Sequence, residues 1–192
     1  LIIIFLFSAE IGATQSVSAN SPNQIENVNK DKKILLEMKK LNELEEKLLK
    51  KFKNQSIQNT LRDESIADII QKITNLNIKI NGFIHPSTSK WYLNLAVHQQ
   101  KFTDKEKSLL NAIRIEKELN SISPNLFRCL SVLSLLYNEN GFFEKAQETL
   151  TDAVTVYIEN TKKESPDKEF YSSESRDLMI GNLILQADFF GL

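Results

Sequence analysis

Apolar residues recur at spacings of three and four along most of the chain, and this periodicity is the feature that most restricts the fold. The clearest example lies in the segment 31–53, where lysines and glutamates separate the apolar positions Ile34, Met38, Leu41, Leu44, Leu48 and Phe52. A stripe of this kind occupies one face of a helix whose other face is solvated. The next helix is predicted at about 63–76, with the stripe Ile66, Ile69, Ile70 and Ile73.

Turn-forming residues are scarce, with five glycines and four prolines in 192 residues. Because β-sheet proteins need many turns, this scarcity favours a few long helices. Further helices are predicted at about 88–101, 104–120, 125–139, 143–162 and 176–190, which gives an all-α chain of antiparallel helical hairpins. An amphipathic helix pair is predicted for residues 31–80. A coiled coil is the alternative for 31–53, but Glu45 interrupts its heptads, so packing on the next helix is favoured.

The charge balance excludes several classes of partner. With 24 basic and 25 acidic residues, the net charge of -1 creates no field that would attract nucleic acid or an anionic membrane. The single cysteine, Cys129, forms no intrachain disulfide. Since it lies among leucines and Phe127, we expect it to be a small buried hydrophobe on a helix.

The first nineteen residues have the pattern of a secretory signal peptide. The apolar run 1–7 is too short to span a bilayer, which takes roughly 20 residues. The small residues Val17 and Ala19 occupy the minus-three and minus-one places of a cut after Ala19. We expect a signal peptide at 1–19, a flexible linker at 20–30 and an exported protein, periplasmic or secreted. The alternatives are a buried N-terminal strand and an uncut anchor that tethers an assembly factor to the membrane.

The most specific pattern lies between Phe127 and Ile158. Ser134, Ala146 and Ala153 are small where two antiparallel helices are expected to approach closely, because bulk there would separate the helix axes. Gly141 is suited to the left-handed conformation that ends a helix. Tyr137 is large enough to fill the space between neighbouring hairpins. These residues therefore predict a tight helical hairpin.

This hairpin resembles the tetratricopeptide repeat (TPR), with Leu130 in place of the usual tryptophan and Leu150 in place of the phenylalanine. Alanines recur from Ala112 to Ala153, 41 residues apart, and prolines recur from Pro124 after 42. That longer period is similar to the kinesin light chain type of repeat. The resemblance covers residues 84–192 and implies a short α-solenoid of stacked hairpins. A generic helical bundle is the alternative.

An earlier, degenerate hairpin fits the same register at Pro86 and Ala96. We expect its inter-helix turn to be about three residues shorter, with Lys105 or Ser108 at the place of an alanine. At the other end, a first helix is predicted at 178–190 without its partner. We expect the chain to continue past Leu192, with a capping helix as the alternative.

No set of residues suggests catalysis or metal binding. His85 and His98 do not form a His-Glu-x-x-His pattern, and no phosphate loop or nucleophile elbow occurs. We expect His85 in a solvated turn and His98 as a polar residue facing a groove. We therefore predict a protein that is not an enzyme and that has neither a metal nor a small-molecule cofactor.

The resemblance implies that the first helix of each hairpin lines a concave binding face. The residues at the corresponding places are Lys90, Leu93, Asn94, Val97, Lys101, Arg128, Ser131, Val132, Leu135 and Asn138. The mixture suits an extended or helical peptide, with apolar contacts for area and polar groups for its backbone and carboxylates. Lys90 and Asn94 match half of the family's carboxylate clamp, whereas Ser131 and Leu135 do not match it.

These observations together predict an exported scaffold that binds a protein or peptide partner, binds no nucleic acid, and meets a membrane only through an uncleaved N-terminal segment. The alternative is the N-terminal regulatory region of a larger enzyme, such as a CHAT-type protease. That alternative follows from the resemblance, because bacterial chains with the longer repeat often continue into such a domain.

Overall fold

The computed structural model of the chain describes residues 22–54, 63–119, 122–162 and 180–181. These ranges contain six α-helices and no strand, which confirms the all-α prediction for the described part of the chain. The helices are α1 (Pro22–Asn54), α2 (Glu64–Asn81), α3 (Pro86–His98), α4 (Phe102–Glu118), α5 (Pro124–Glu139) and α6 (Phe143–Thr161). The predicted signal peptide lies outside the described residues. Of the last predicted helix, only 180–181 are described, and they are helical.

Helix α1 begins nine residues before the predicted start, so the prediction of a linker at 20–30 is wrong from Pro22 onward. Proline is favoured at the first helical position because its missing N–H would have no partner there. The segment contains no glycine, which after proline is the residue that most disfavours a helix interior. At 1.5 Å per residue, the 33 residues of α1 extend about 50 Å. None of the described helices is both long and apolar enough to cross a membrane.

Helices α1 and α2 pack on each other, as the stripes predict. Leu48 of α1 is buried in one cluster with the isoleucines of α2, and this cluster continues to Trp91 and Leu95 of α3. An ion pair between Lys51 Nζ and Asp63 Oδ2, 2.8 Å apart, joins the end of α1 to the start of α2. The two helices are therefore antiparallel, and α2 connects the pair to the hairpins that follow.

Two hairpins follow, α3–α4 and α5–α6, and their buried residues form a second, larger cluster. Each turn between the paired helices contains three residues, 99–101 in the first hairpin and 140–142 in the second. The prediction of a shorter turn in the first hairpin is therefore wrong. The difference of three residues lies in the first helix, because α3 has 13 residues and α5 has 16.

The ends of the helices follow from local chemistry. Ser123 caps α5 by accepting a hydrogen bond from Leu126 N at 3.0 Å, and Pro124 occupies the first helical position. At the other end, Gly141 has a φ of 77°, and Phe142 N donates to Tyr137 O at 2.9 Å. A positive φ favours glycine because it has no Cβ. The prediction that Gly141 ends this helix is confirmed.

Candidate partner-binding face

Helices α5 and α6 are in contact where the small residues predict close packing. Ser134 Oγ donates a hydrogen bond to the Ala146 carbonyl at 2.9 Å, so a side chain of one helix reaches the backbone of the other. Ser134, Ala146 and Ala153 are all buried. The predicted close packing is therefore confirmed.

Tyr137 connects the second hairpin to the first. Its ring contacts those of Phe102 and Phe142, with centroids 6.3 Å apart in both cases, and its hydroxyl donates to Glu106 Oε1 at 2.8 Å. Burial raises the pKa of Tyr137 to about 12, and the hydrogen bond to Glu106 acts in the same direction. Because Phe102 and Glu106 belong to α4, these contacts join α5 to the preceding hairpin.

A buried polar network, which sequence reasoning missed, joins the start of α5 to α3 and α4. Asn125 Nδ2 donates to Ser89 Oγ and to Glu116 Oε1, both at 2.7 Å. Ser123 Oγ donates to Glu116 Oε2 at 2.6 Å, and Ser89 Oγ donates to the Ala112 carbonyl at 3.3 Å. Glu116 is only 3% exposed, so these bonds compensate for removing its carboxylate from water.

The first helices of the two hairpins, α3 and α5, are also in direct contact. Helix α5 therefore has neighbours in α3, α4 and α6, and it buries 12 of its 16 residues. This packing decides which of the predicted site residues are accessible to a partner.

Three of the ten predicted site residues are buried, so their assignment to an accessible face is wrong. Leu93 is 5% exposed, Arg128 6% and Ser131 0%. Leu93 belongs to the core cluster of the hairpins. Arg128 and Ser131 lie on α5, of which 12 of the 16 residues are buried, and the repeat pattern alone does not predict their burial.

The other seven predicted residues are at least partly accessible. On α3 and the turn after it, they follow a spacing of three and four that places them on one helical face. We call the seven residues the first-helix face: Lys90, Asn94, Val97, Lys101, Val132, Leu135 and Asn138. Lys101 is exposed and the other six are half-buried. Val132 also packs against the core of the hairpins, which fixes its position.

The structure contradicts the prediction for His98, whereas His85 lies in the predicted turn, between α2 and α3. His98 is 4% exposed, with its ring 5.7 Å from that of Phe52, so the prediction of a groove-facing residue is wrong. Its Nδ1 bonds to the Asn94 carbonyl at 2.9 Å. Burial lowers the pKa of His98, and this hydrogen bond opposes the effect. His85 is half-buried, and its Nδ1 caps α3 by accepting a hydrogen bond from Ser87 N at 3.2 Å.

The described residues include one potentially reactive thiol, that of Cys129. Cys129 is fully buried, as predicted, and burial raises the pKa of its thiol, with Glu116 adding to the effect. In the ranges that the structure describes, no group of three or more His, Cys, Asp or Glu side chains is arranged to hold a metal ion.

No family model matches the chain, and no curated protein matches it either. The assignment of the first-helix face as a candidate site therefore rests on the packing and exposure of the described residues.

Proposed function

We propose that this protein is an exported scaffold of TPR-like hairpins that binds a peptide segment of a partner protein on its first-helix face. One observation carries the proposal: α3 and α5 lie in direct contact and present accessible polar and apolar residues on adjacent helices. Adjacent first helices are what a stacked array of hairpins requires. The export component depends on residues 1–19 and stays a prediction.

The composition of the face suits a peptide better than a small molecule. Val97, Val132 and Leu135 offer apolar area, while the amides of Asn94 and Asn138 are suited to hydrogen bonds with a peptide backbone. Lys101 lies at the end of the face and is exposed, where it is suited to pairing with a carboxylate of the peptide. The chemistry that these residues support is recognition, with no group among them arranged as a nucleophile or a general base.

The two hairpins also have the contacts that a stacked array needs. In each, a serine on the first helix donates to an alanine carbonyl on the second helix. Tyr137 and Asn125 then bond across to the preceding hairpin. These contacts support a fixed orientation of α3 relative to α5, and a fixed orientation lowers the entropic cost of binding.

The experiment is a capture assay with the full chain and an extract of the cells that make it. Leu135→Glu places a charge on the face, and Leu110→Glu is the matched control because Leu110 is 47% exposed on α4, outside the face. We expect Leu135→Glu to lose the captured partner about tenfold or more, and Leu110→Glu to retain it. Equal capture by both variants, with unchanged helix content, would contradict the proposal.

A further inference from the structure

We propose that the groove between α1 and α2 is a second docking surface, for an acidic amphipathic helix of a partner protein. The groove has a volume of about 610 Å³ and is lined by residues of these two helices alone. None of its lining residues belongs to α3 or α5, so the surface is separate from the first-helix face. The two proposals therefore fail or succeed independently.

Four lysines surround the groove in a regular arrangement. Lys40 and Lys47 lie on α1, and Lys72 and Lys79 lie on α2. The members of each pair are seven residues apart, which on a helix is two turns or about 10.5 Å. Because α1 and α2 are antiparallel and adjacent, two lysines line each side of the groove.

These lysines leave the groove with excess positive charge. Within the described ranges, Lys47, Lys72 and Lys79 make no ion pair, while Lys40 Nζ lies 3.7 Å from Glu37. The only acidic residues that line the groove are Glu37 and Glu43, so four positive charges face two negative ones. The chain as a whole has a net charge of -1, so this local excess is a property of the groove.

The base of the groove favours a peptide over other anions. Leu44 and Leu76 lie between the lysines, where they offer apolar contact that a phosphate backbone or a lipid headgroup would not use. Leu44 is half-buried and Leu76 is 9% exposed, so the apolar area is limited and lies below the charged rim. An occupant with a narrow apolar stripe flanked by carboxylates matches both features.

A helix fits this description better than an extended strand. A third helix packs along the groove of a helix pair with its axis about 8–10 Å from each neighbour. Glutamates seven residues apart on such a helix repeat at the same distance of about 10.5 Å as the lysines. An apolar stripe at spacings of three and four would then lie over Leu44 and Leu76.

The test measures binding of a fluorescent synthetic helix of about 18 residues to the full chain. The peptide carries leucines at spacings of three and four, flanked by glutamates seven residues apart. We expect saturable binding that weakens as salt is raised, because exposed charges are screened. No saturable binding at about millimolar protein would overturn the proposal.

Matched charge reversals locate the binding. Lys47→Glu combined with Lys72→Glu reverses one charge on each side of the groove. Lys39→Glu combined with Lys50→Glu is the control, because both lysines are exposed on α1 and neither lines the groove. We expect the groove variant to bind about tenfold more weakly and the control to change less than about twofold. Equal weakening in both would overturn the proposal.

Other anions provide the final comparison. A duplex DNA oligonucleotide and vesicles containing phosphatidylserine carry negative charge without an apolar stripe of this geometry. A peptide with the same glutamates and serine in place of leucine isolates the apolar contribution. We expect all three to bind more weakly than the original peptide. Tighter binding of the DNA or the vesicles would overturn the choice of an acidic helix.

Discussion

Both hairpins contain a hydrogen bond from a serine hydroxyl to an alanine carbonyl, but the two bonds lie at opposite ends of their hairpins. In α3–α4, Ser89 donates to the Ala112 carbonyl near the start of the first helix. In α5–α6, Ser134 donates to the Ala146 carbonyl near the turn. In both hairpins a small hydroxyl residue allows the backbones to approach, since the bond joins a side chain to the main chain of the facing helix.

At the end of each hairpin that lacks this hydrogen bond, the two hairpins are packed with different residues. Phe127 of α5 is completely buried and its ring lies 5.6 Å from that of Tyr157, where the corresponding residue of α3 is the small Ser89. Near the first turn, Ser108 Oγ donates to Gln99 Oε1 at 2.9 Å. Two hairpins with one architecture therefore need not place their small residues at the same positions. This is why the first hairpin has a degenerate sequence pattern.

The largest predicted effect tests where the second hairpin is tight. Ala146→Leu should lower the free energy of unfolding by about 3 kcal/mol, because the three added carbon atoms cannot fit where Ser134 reaches the backbone. Lys105→Leu, at the corresponding place three residues into α4, should change stability by less than about 0.5 kcal/mol because Lys105 is only half-buried. Urea unfolding measures both. An Ala146→Leu variant with an unchanged free energy of unfolding would contradict close packing of the two helices at this position.

The next effect concerns the hydrogen bonds that connect the start of each hairpin to the helices before it. Asn125→Ala should cost about 2 kcal/mol, because Glu116 Oε1 loses its donor while it stays buried. Ser87→Ala, at the corresponding place after Pro86, should cost less than about 1 kcal/mol.

The difference arises because the acceptor of Ser87, Asn77 Oδ1, keeps hydrogen bonds from Thr88 and Asn81. Denaturation of both variants by urea gives the comparison. Equal losses in the free energy of unfolding would show that the buried Glu116 carboxylate does not make the Asn125 hydrogen bond more stabilising than that of Ser87.

A smaller effect is expected at Tyr137, which has Gln99 as its counterpart in the first hairpin. Tyr137→Phe should cost about 1 kcal/mol through loss of the bond to Glu106 while the ring contacts remain. Tyr92→Phe is the control, because the hydroxyl of Tyr92 makes no hydrogen bond with the described residues. Thermal melts distinguish the two, and an equal shift for both would show that the bond to Glu106 contributes nothing specific.

The smallest effect is a pH dependence confined to the first hairpin. His98 is buried there, whereas the corresponding residue of α5 is Leu136. Since burial lowers the pKa of His98 in the folded chain, the unfolded chain takes up its proton first, at about pH 6.5. Stability is therefore complete above that pH and falls as the pH decreases through it.

His98→Gln removes this titrating group and should make the loss of stability in acid less steep. Urea unfolding at about pH 7.5 and about pH 5.5 gives the slope for both proteins. Identical slopes would show that His98 is not a source of the dependence.

The sequence predicts local features of this fold well and its three-helix contacts poorly. Apolar spacing located all six described helices, and Ser134, Ala146 and Gly141 predicted the second hairpin correctly because each requirement acts between neighbouring elements. Glu116 and Asn125 look like ordinary polar helix residues until α3, α4 and α5 come together around them.

Site-specific photocrosslinking can show whether a partner contacts the first-helix face. A photoreactive phenylalanine analogue replaces Leu135 in one version of the protein and Leu110 in the other, and adducts formed in the producing cells are identified by mass spectrometry. We expect a defined protein adduct at position 135 that is missing at position 110. The same adducts at both positions, or an adduct at position 110 alone, would contradict this expectation.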